Sequence, residues 1–194
     1  MRVIAGSLKG RRLIAPSWSG LRPTSDKLRE TIFNILAPRV AGARVLDAYA
    51  GTGALGIEAL SRGAAAVTFV ERDRRAQALI KENLGRCGIT DGYVIIRASV
   101  EDALKELGDR RVPGTLDTPD TFDIVLLDPP YARDNARRDM HDVLAAAADA
   151  VREGGVLVLE HARTEPPPSR AGRLVRTREV IAGDSALAFY ACQP

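Results

Sequence analysis

The chain has 194 residues, of which 45% are hydrophobic and 27% charged, so it fits one globular domain of ordinary size. No apolar run approaches the roughly 18 residues of a membrane span, and the N-terminus lacks the apolar stretch of a secretory signal. We therefore expect a cytoplasmic protein. Two isolated cysteines and two histidines argue against a disulfide framework and a zinc cluster, so we expect no metal.

Basic residues are concentrated near the N-terminus. The first 44 residues carry nine basic and two acidic side chains, a net charge of +7, whereas the whole chain carries only +3. The other 150 residues therefore carry −4. A basic arm on a mildly acidic body is typical of a protein that binds a polyanion such as nucleic acid. The alternative is a solvated charged face.

The first predicted elements form a small extension over residues 1–42. Residues 2–6 and 11–15 are short apolar-rich segments around a basic turn, which predicts a β-hairpin. Thr24 or Ser25 can cap a helix that runs to about Leu36, because apolar residues recur there at helical spacing. We expect Pro38 to end this helix.

From residue 43 to 194 the pattern predicts one α/β domain. Apolar strands alternate with amphipathic helices, which favours a mostly parallel sheet covered on both faces. The predicted strands are 45–46, 66–70, 93–96, 124–127 and 156–159, and the predicted helices are 54–61, 73–86, 100–107 and 140–151. Segments 174–181 and 186–191 predict a closing antiparallel hairpin, and 108–121 and 164–172 predict surface loops.

A glycine-rich loop follows the first of these strands. Gly51, Gly53 and Gly56 fit the GxGxxG pattern between a strand and a helix, where glycine allows a sharp turn and close approach to a ligand. Glu71 ends the next strand, where a carboxylate can accept hydrogen bonds from ribose hydroxyls. This arrangement predicts a site for an adenosine-containing cofactor.

Asp47 decides between two such cofactors. It ends the first strand, where a pyrophosphate would otherwise lie, so its charge disfavours NAD and suits the cationic amino end of S-adenosylmethionine. Ser99, after the third strand, is placed to meet the adenine edge. The predicted cofactor residues are Asp47, Tyr49, Ala50, Gly51, Gly53, Glu71, Arg72, Ser99 and Val100.

The tetrapeptide Asp128-Pro129-Pro130-Tyr131 follows the fourth strand. Ligands of open α/β sheets bind at this edge, and two prolines make the turn rigid. The Asp128 carboxylate and the Pro129 carbonyl can hold both hydrogens of a planar amine, which directs the nitrogen lone pair toward a sulfonium methyl. Tyr131 offers a face for stacking a base. We predict that these four residues are catalytic.

Taken together, these motifs resemble the RsmD family of bacterial 16S rRNA guanine-N2 methyltransferases. The matching segments are Arg2–Gly6, Gly10–Leu13, Leu21–Asp26, Arg29–Asn34, Asp47–Gly56, Glu58–Gly63, Glu71, Asp128–Tyr131 and Tyr190. The resemblance implies a Rossmann-like class I methyltransferase fold, S-adenosylmethionine as methyl donor, and 16S rRNA of the assembled or assembling small subunit as substrate. The guanine N2 target comes from the resemblance alone.

The basic extension predicts the RNA-binding residues. Arg11, Arg12, Arg22, Thr24 and Arg29 could hold rRNA while the tetrapeptide holds the base. For Arg29 an equal alternative is that it braces the extension against the sheet. We expect the protein to act as a monomer.

Other functions remain open from the residues alone. DNA adenine-N6 and protein glutamine-N5 methyltransferases use similar Asp/Asn-Pro-Pro-Tyr turns, although the chain has no room for a DNA-recognition domain. An NAD(P)-linked oxidoreductase would need a catalytic domain that the sequence does not show. A non-catalytic RNA-binding factor would have no need of the intact Asp128–Tyr131.

Overall fold

The computed structural model describes residues 1–18, 24–109, 121–130 and 136–192. Its helices are α1 Asp26–Val40, α2 Ala54–Ser61, α3 Arg74–Cys87, α4 Val100–Asp109 and α5 Ala136–Ala150. Its strands are β1 Arg44–Asp47, β2 Ala66–Val70, β3 Tyr93–Ile96, β4 Phe122–Leu127, β5 Val151–Ala162, β6 Arg170–Ala171, β7 Leu174–Ala182 and β8 Ser185–Cys192. None of these helices combines the length and hydropathy that a bilayer crossing requires.

The strands form one sheet in the order β3-β2-β1-β4-β5-β8-β7-β6. Strands β1 to β5 pair in parallel, and β8, β7 and β6 add an antiparallel end. The chain winds outward from β1 to β3 and then returns to β4 on the other side of β1. This confirms the predicted fold and places the reversal of strand order between β1 and β4, where ligands of such sheets bind.

Hydrophobic side chains cover both faces of the sheet. On one face, Val45 and Ile124 belong to a buried cluster that includes Phe33 of α1. On the other face, Leu46 and Val125 belong to a cluster with residues of α4 and α5. Alternate residues of β1 and β4 therefore point to opposite cores, as expected for strands buried on both sides.

The N-terminal hairpin, predicted with segments 2–6 and 11–15, is present with a single antiparallel bridge between Arg2 and Arg12 in place of extended strands. The Val3 N–H donates to the Arg11 carbonyl at 2.9 Å, and the Gly10 N–H donates to the Val3 carbonyl at 2.9 Å. Val3 and Leu13 are buried in the same hydrophobic cluster as Phe33. The hairpin therefore packs on the core of the sheet.

Polar side chains of the sheet's helices also hold this hairpin. Glu58 of α2 is fully buried and accepts the backbone N–H of Ile4 at 2.7 Å and that of Ala5 at 3.0 Å. Asn83 of α3 is equally buried and accepts the Ile14 N–H at 2.7 Å. These bonds satisfy buried polar groups that would otherwise be costly.

Several predicted boundaries were wrong. The helix predicted over 140–151 is α5 Ala136–Ala150, and Val151 already belongs to the next strand. Helix α1 passes through Pro38 and ends at Val40, because a proline in the last turn removes only one helical hydrogen bond and Val40 is buried in the core. Strand β5 begins at Val151 and continues to Ala162, well beyond the predicted 156–159. The predicted loop 164–172 contains the short strand β6. Most of the predicted loop 108–121 lies outside the described residues.

Candidate active site

Four acidic residues lie at the carboxyl ends of four neighbouring parallel strands. Glu71 follows β2, Asp47 ends β1, Asp128 follows β4, and Glu160 lies in β5. We call these four the carboxylate row. The pairs Asp47–Phe69 and Asp47–Leu126 set β1 in register with both neighbours. Because alternate residues of a strand share a face, the row lies on one face of the sheet edge.

Asp47 is the buried centre of this row. It is 1% exposed, and its Oδ2 accepts the backbone N–H of Gly56 at 2.9 Å. Burial raises the pKa of Asp47 to about 7; the Gly56 hydrogen bond opposes this rise, and the charge of Glu71 adds to it. A cation bound beside Asp47 would favour its ionised form.

The glycine loop and Glu71 hold each other. The Gly51 N–H donates to Glu71 Oε2 at 2.9 Å, and the Asp73 N–H donates to Glu71 Oε1 at 2.8 Å. Gly51 and Gly53 both have positive φ, at 53° and 77°, which glycine adopts readily. The predicted loop and second-strand carboxylate are therefore neighbours in space.

Gly56, the third glycine of the motif, has a packing role. A Cβ atom at this position would lie 2.2 Å from Cε1 of Phe69 and 2.8 Å from Cγ1 of Val67. Only glycine lets helix α2 approach strand β2 this closely. The Asp47 bond to the Gly56 N–H then fixes the start of the same helix.

The other predicted cofactor residues surround this loop. Ala50 is buried and its N–H donates to the Val70 carbonyl at 3.0 Å, while Tyr49 is half-buried and Arg72 is exposed. Ser99 caps α4: its Oγ accepts the Asp102 N–H at 3.1 Å and donates to the Asp102 carboxylate at 2.8 Å. Its contact with adenine stays a prediction. Val100 follows it and is buried.

Asp128 lies between the start of α1 and strand β5. The Thr24 hydroxyl donates a hydrogen bond to Asp128 Oδ2, and Glu160 lies beside Asp128, one position beyond the matched pair Leu127 and Leu159. Burial raises the pKa of Asp128 well above its usual range, and the nearby charges of Glu160 and Asp47 raise it further. The Thr24 hydrogen bond lowers it.

The rest of the tetrapeptide extends from this point. Pro129 is half-buried and Pro130 is exposed, so the turn leads from the core to the surface. Tyr131 lies outside the described residues, and its stacking role stays a prediction.

The predicted RNA-binding residues divide into two groups. Arg11 and Arg12 are exposed on the hairpin, where they are accessible to phosphates. Arg29 is fully buried and donates from Nη2 to the Arg2 carbonyl at 2.7 Å and to Asp26 at 2.7 Å. The structure therefore favours the bracing interpretation of Arg29 over phosphate binding. Arg22 lies outside the described residues.

Sequence reasoning missed Glu160 and gave Thr24 a different role. Glu160 is buried, at 8% exposure, and directly follows the apolar run 156–159 of β5. An acidic residue directly after a buried apolar run is the signal that could have revealed it, since buried charges need partners. Among the described residues, no group of histidine, cysteine and acidic side chains could hold a metal ion.

The doubly wound sheet is that of a class I methyltransferase fold. The carboxylate row lies where the strand order reverses, which is the edge at which sheets of this kind bind their ligands. Residues 1–191 match the family described as Conserved hypothetical protein 95. The chain belongs to this family, which is the RsmD family that its motifs resemble.

Named relatives support this assignment. The chain is 38% identical over 190 residues, 98% of each protein, to the "Putative rRNA methyltransferase YlbH" of Bacillus subtilis. It is 40% identical over 133 residues to "Ribosomal RNA small subunit methyltransferase D" of Escherichia coli, covering 69% of this chain and 61% of that protein.

Solved structures agree with the fold. A "Putative methyltransferase yhhF from Escherichia coli" has a TM-score of 0.80 and 31% identity, and the match covers 100% of this chain and 99% of that one. A putative methyltransferase complexed with SAH has a TM-score of 0.67 at 18% identity, covering 84% of this chain and 49% of that one, and shares the fold.

Proposed function

We propose that this protein transfers a methyl group from S-adenosylmethionine to the exocyclic N2 of a guanine in 16S rRNA of the small ribosomal subunit. The observation that carries this proposal is the carboxylate row, in which Asp128 lies beside Asp47 and Glu71 on one face of the sheet edge. The family and its named rRNA methyltransferase relatives supply the substrate class.

The residues of the row fit the methyl donor. Glu71 accepts two backbone N–H groups, and a carboxylate has about four acceptor positions, so lone pairs remain for ribose hydroxyls. Asp47 accepts only the Gly56 N–H among the hydrogen bonds described for it, and its ionised form suits a cationic amino group. S-adenosylmethionine supplies an electrophilic methyl group and leaves as a neutral thioether.

Asp128 and Pro129 act on the target amine. The Asp128 carboxylate and the Pro129 carbonyl accept one N–H each, which turns the nitrogen lone pair toward the methyl group. The nitrogen forms one bond to carbon and loses one proton, which an oxygen of Asp128 accepts and passes to water. Thr24 holds Asp128 in place through its hydroxyl. A base that is paired in the rRNA must first be extruded.

The exposed Arg11 and Arg12 bind rRNA phosphates in this proposal, and they position the substrate without reading its sequence. Arg29 is left out because it is buried. The protein acts as a monomer in the cytoplasm, where the small subunit is assembled. Its N-terminal residues 1–42 and the sheet domain 43–194 form one working unit, because they share a hydrophobic cluster.

The test is methyl transfer from labelled S-adenosylmethionine to three acceptors: small subunits that lack the modification, naked 16S rRNA and duplex DNA. We expect labelled small subunits. The variant Asp128→Ala should lose turnover by at least about 100-fold while it binds the methyl donor with nearly unchanged affinity. Label on DNA alone, or wild-type turnover in Asp128→Ala, would refute the proposal.

A further inference from the structure

Glu160 forms a carboxyl pair with Asp128 that the proposed reaction does not use. Strands β4 and β5 pair in parallel, and their last matched residues are Leu127 and Leu159. Asp128 and Glu160 are the next residues on each strand, so they stand side by side on the same face. The charge of Glu160 acts on Asp128, and Glu160 is only 8% exposed.

A guanine offers two neighbouring donors to such a pair. Its N1–H group lies directly beside the N2 amine on the same edge of the ring. Ionised carboxylates only accept hydrogen bonds, so two adjacent carboxylates match two adjacent donors. Adenine has a bare N1 lone pair at the corresponding edge, which a carboxylate repels.

We propose that Glu160 determines base specificity by accepting the N1–H of guanine while Asp128 accepts one hydrogen of the N2 amine. This inference rests on the proposed function, because it assigns the base that the Asp128 turn receives. Glu160 would then be a substrate-contacting residue one strand away from the tetrapeptide.

The electrostatics of the row support this arrangement. Asp128 has Glu160 on one side and Asp47 on the other, and both of these neighbours are buried. Burial and the neighbouring charges hold the pKa of Asp128 above its usual range, and a hydrogen-bond donor on a bound ligand opposes that rise. The N2 amine of guanine is such a donor, so its binding favours the ionised Asp128 that accepts the proton leaving the amine. A base without N1–H leaves Glu160 without this donor, which costs binding.

The order of the four carboxylates across the sheet agrees with a methyl donor and a target base that lie next to each other along this edge. Across β2, β1, β4 and β5 the acidic residues are Glu71, Asp47, Asp128 and Glu160. In the proposed function the first two bind the methyl donor and the third binds the target amine. The fourth lies on the far side of Asp128 from the donor, where the rest of the target base must lie.

The test replaces the target guanosine by 2-aminopurine riboside in the rRNA of assembled small subunits, at the mapped methylation site. This base keeps the 2-amine but has no N1–H. We expect wild-type protein to methylate guanine at least about tenfold faster in kcat/KM, since sites built for a donor reject analogues that lack it. The variant Glu160→Gln should reduce this preference to about threefold or less, because an amide can both accept and donate.

Glu179→Gln is the matched control. Glu179 is on β7, which β8 separates from β5, and its carboxylate is 3.4 Å from His161 Nε2. This variant should keep the wild-type preference. Affinity for S-adenosylmethionine, measured for each variant, shows that the fold is intact.

Two results would overturn the inference. The first is an equal wild-type rate on guanine and on 2-aminopurine. This result needs no variant, so the inference can be tested even if the Glu160→Gln protein fails to fold. The second is an unchanged preference in a folded Glu160→Gln protein. Failure of the proposed function gives a different result, because wild-type protein would then leave guanine itself unmethylated.

Discussion

Two adjacent hydroxyl residues have different tasks at the start of α1. The Ser25 side chain accepts the Leu28 N–H at 3.2 Å and caps the helix. The Thr24 hydroxyl donates instead to Asp128, 104 positions further along the chain. The sequence predicts a cap at one of these residues, but it cannot show that the other reaches Asp128, because that contact depends on the packing of α1 against the sheet.

Replacing Thr24 tests this contact. The Thr24 hydroxyl lowers the pKa of Asp128, so Thr24→Val should raise this pKa further above its usual range. If ionised Asp128 is the active form, the rising limb of kcat against pH should move to higher pH. We expect kcat at neutral pH to fall by about tenfold, measured as methyl transfer across pH 5.5 to 9.

Ser25→Ala is the neighbouring control. Loss of the helix cap should lower the free energy of unfolding by about 1 kcal/mol and leave the pH profile in place. A pH profile that is identical in Thr24→Val and wild type would show that Thr24 does not tune Asp128.

At the scale of elements, the central α/β pattern could be predicted closely. The expected helix 54–61 and strands 66–70 and 93–96 have the bounds observed for α2, β2 and β3. These elements are short apolar-rich segments, each followed by a charged residue, so local signals define them. Strand β5 extends beyond its apolar run because β8 pairs with it as far as Ala162, and only the fold supplies that partner.

Gly56 provides a test of the contact between α2 and β2. Gly56→Ala would place a Cβ atom 2.2 Å from Phe69, in a position where ring and strand must move. We expect a loss of about 1–3 kcal/mol in the free energy of unfolding, measured by denaturant titration.

The control for this substitution is Gly85→Ala in helix α3. A Cβ atom there meets nothing within 4 Å, so the change should stabilise the protein by up to about 1 kcal/mol through helix propensity. If Gly56→Ala proved as stable as Gly85→Ala, the tight packing of α2 on β2 would be disproved.

At the scale of the whole molecule, the N-terminal extension joins the sheet domain through buried polar contacts. Glu58 and Asn83 hold the hairpin, and the buried Arg29 bonds to the Arg2 carbonyl. The sequence predicts the extension and its charge, but these partners are 27 to 69 positions apart, and no local pattern joins them. For this reason the sequence left the role of Arg29 open and did not single out Asn83 or Glu160.

The exposed charge of the extension should govern substrate binding. Arg11→Glu combined with Arg12→Glu should weaken binding to small subunits and flatten its salt dependence by roughly one to two units of log–log slope, since fewer phosphates are neutralised. The measurement is the dissociation constant across a salt series.

The matched control reverses two exposed arginines at the antiparallel end of the sheet, Arg170→Glu with Arg178→Glu. These changes alter the net charge equally but lie on β6 and β7, so the salt slope should remain that of wild type. If both double variants lost affinity for small subunits equally, the extension would act through net charge alone and not through local phosphate contacts.

The central claim is that the carboxylate row presents a guanine amine to the methyl donor. The most direct measurement is the identity of the labelled nucleoside after small subunits that lack the modification are methylated and their rRNA is digested. We predict that the label is found in N2-methylguanosine and that Asp128→Ala, loaded with S-adenosylmethionine, produces none. Label in a methylated adenosine, in protein glutamine, or at equal levels with Asp128→Ala would contradict the account.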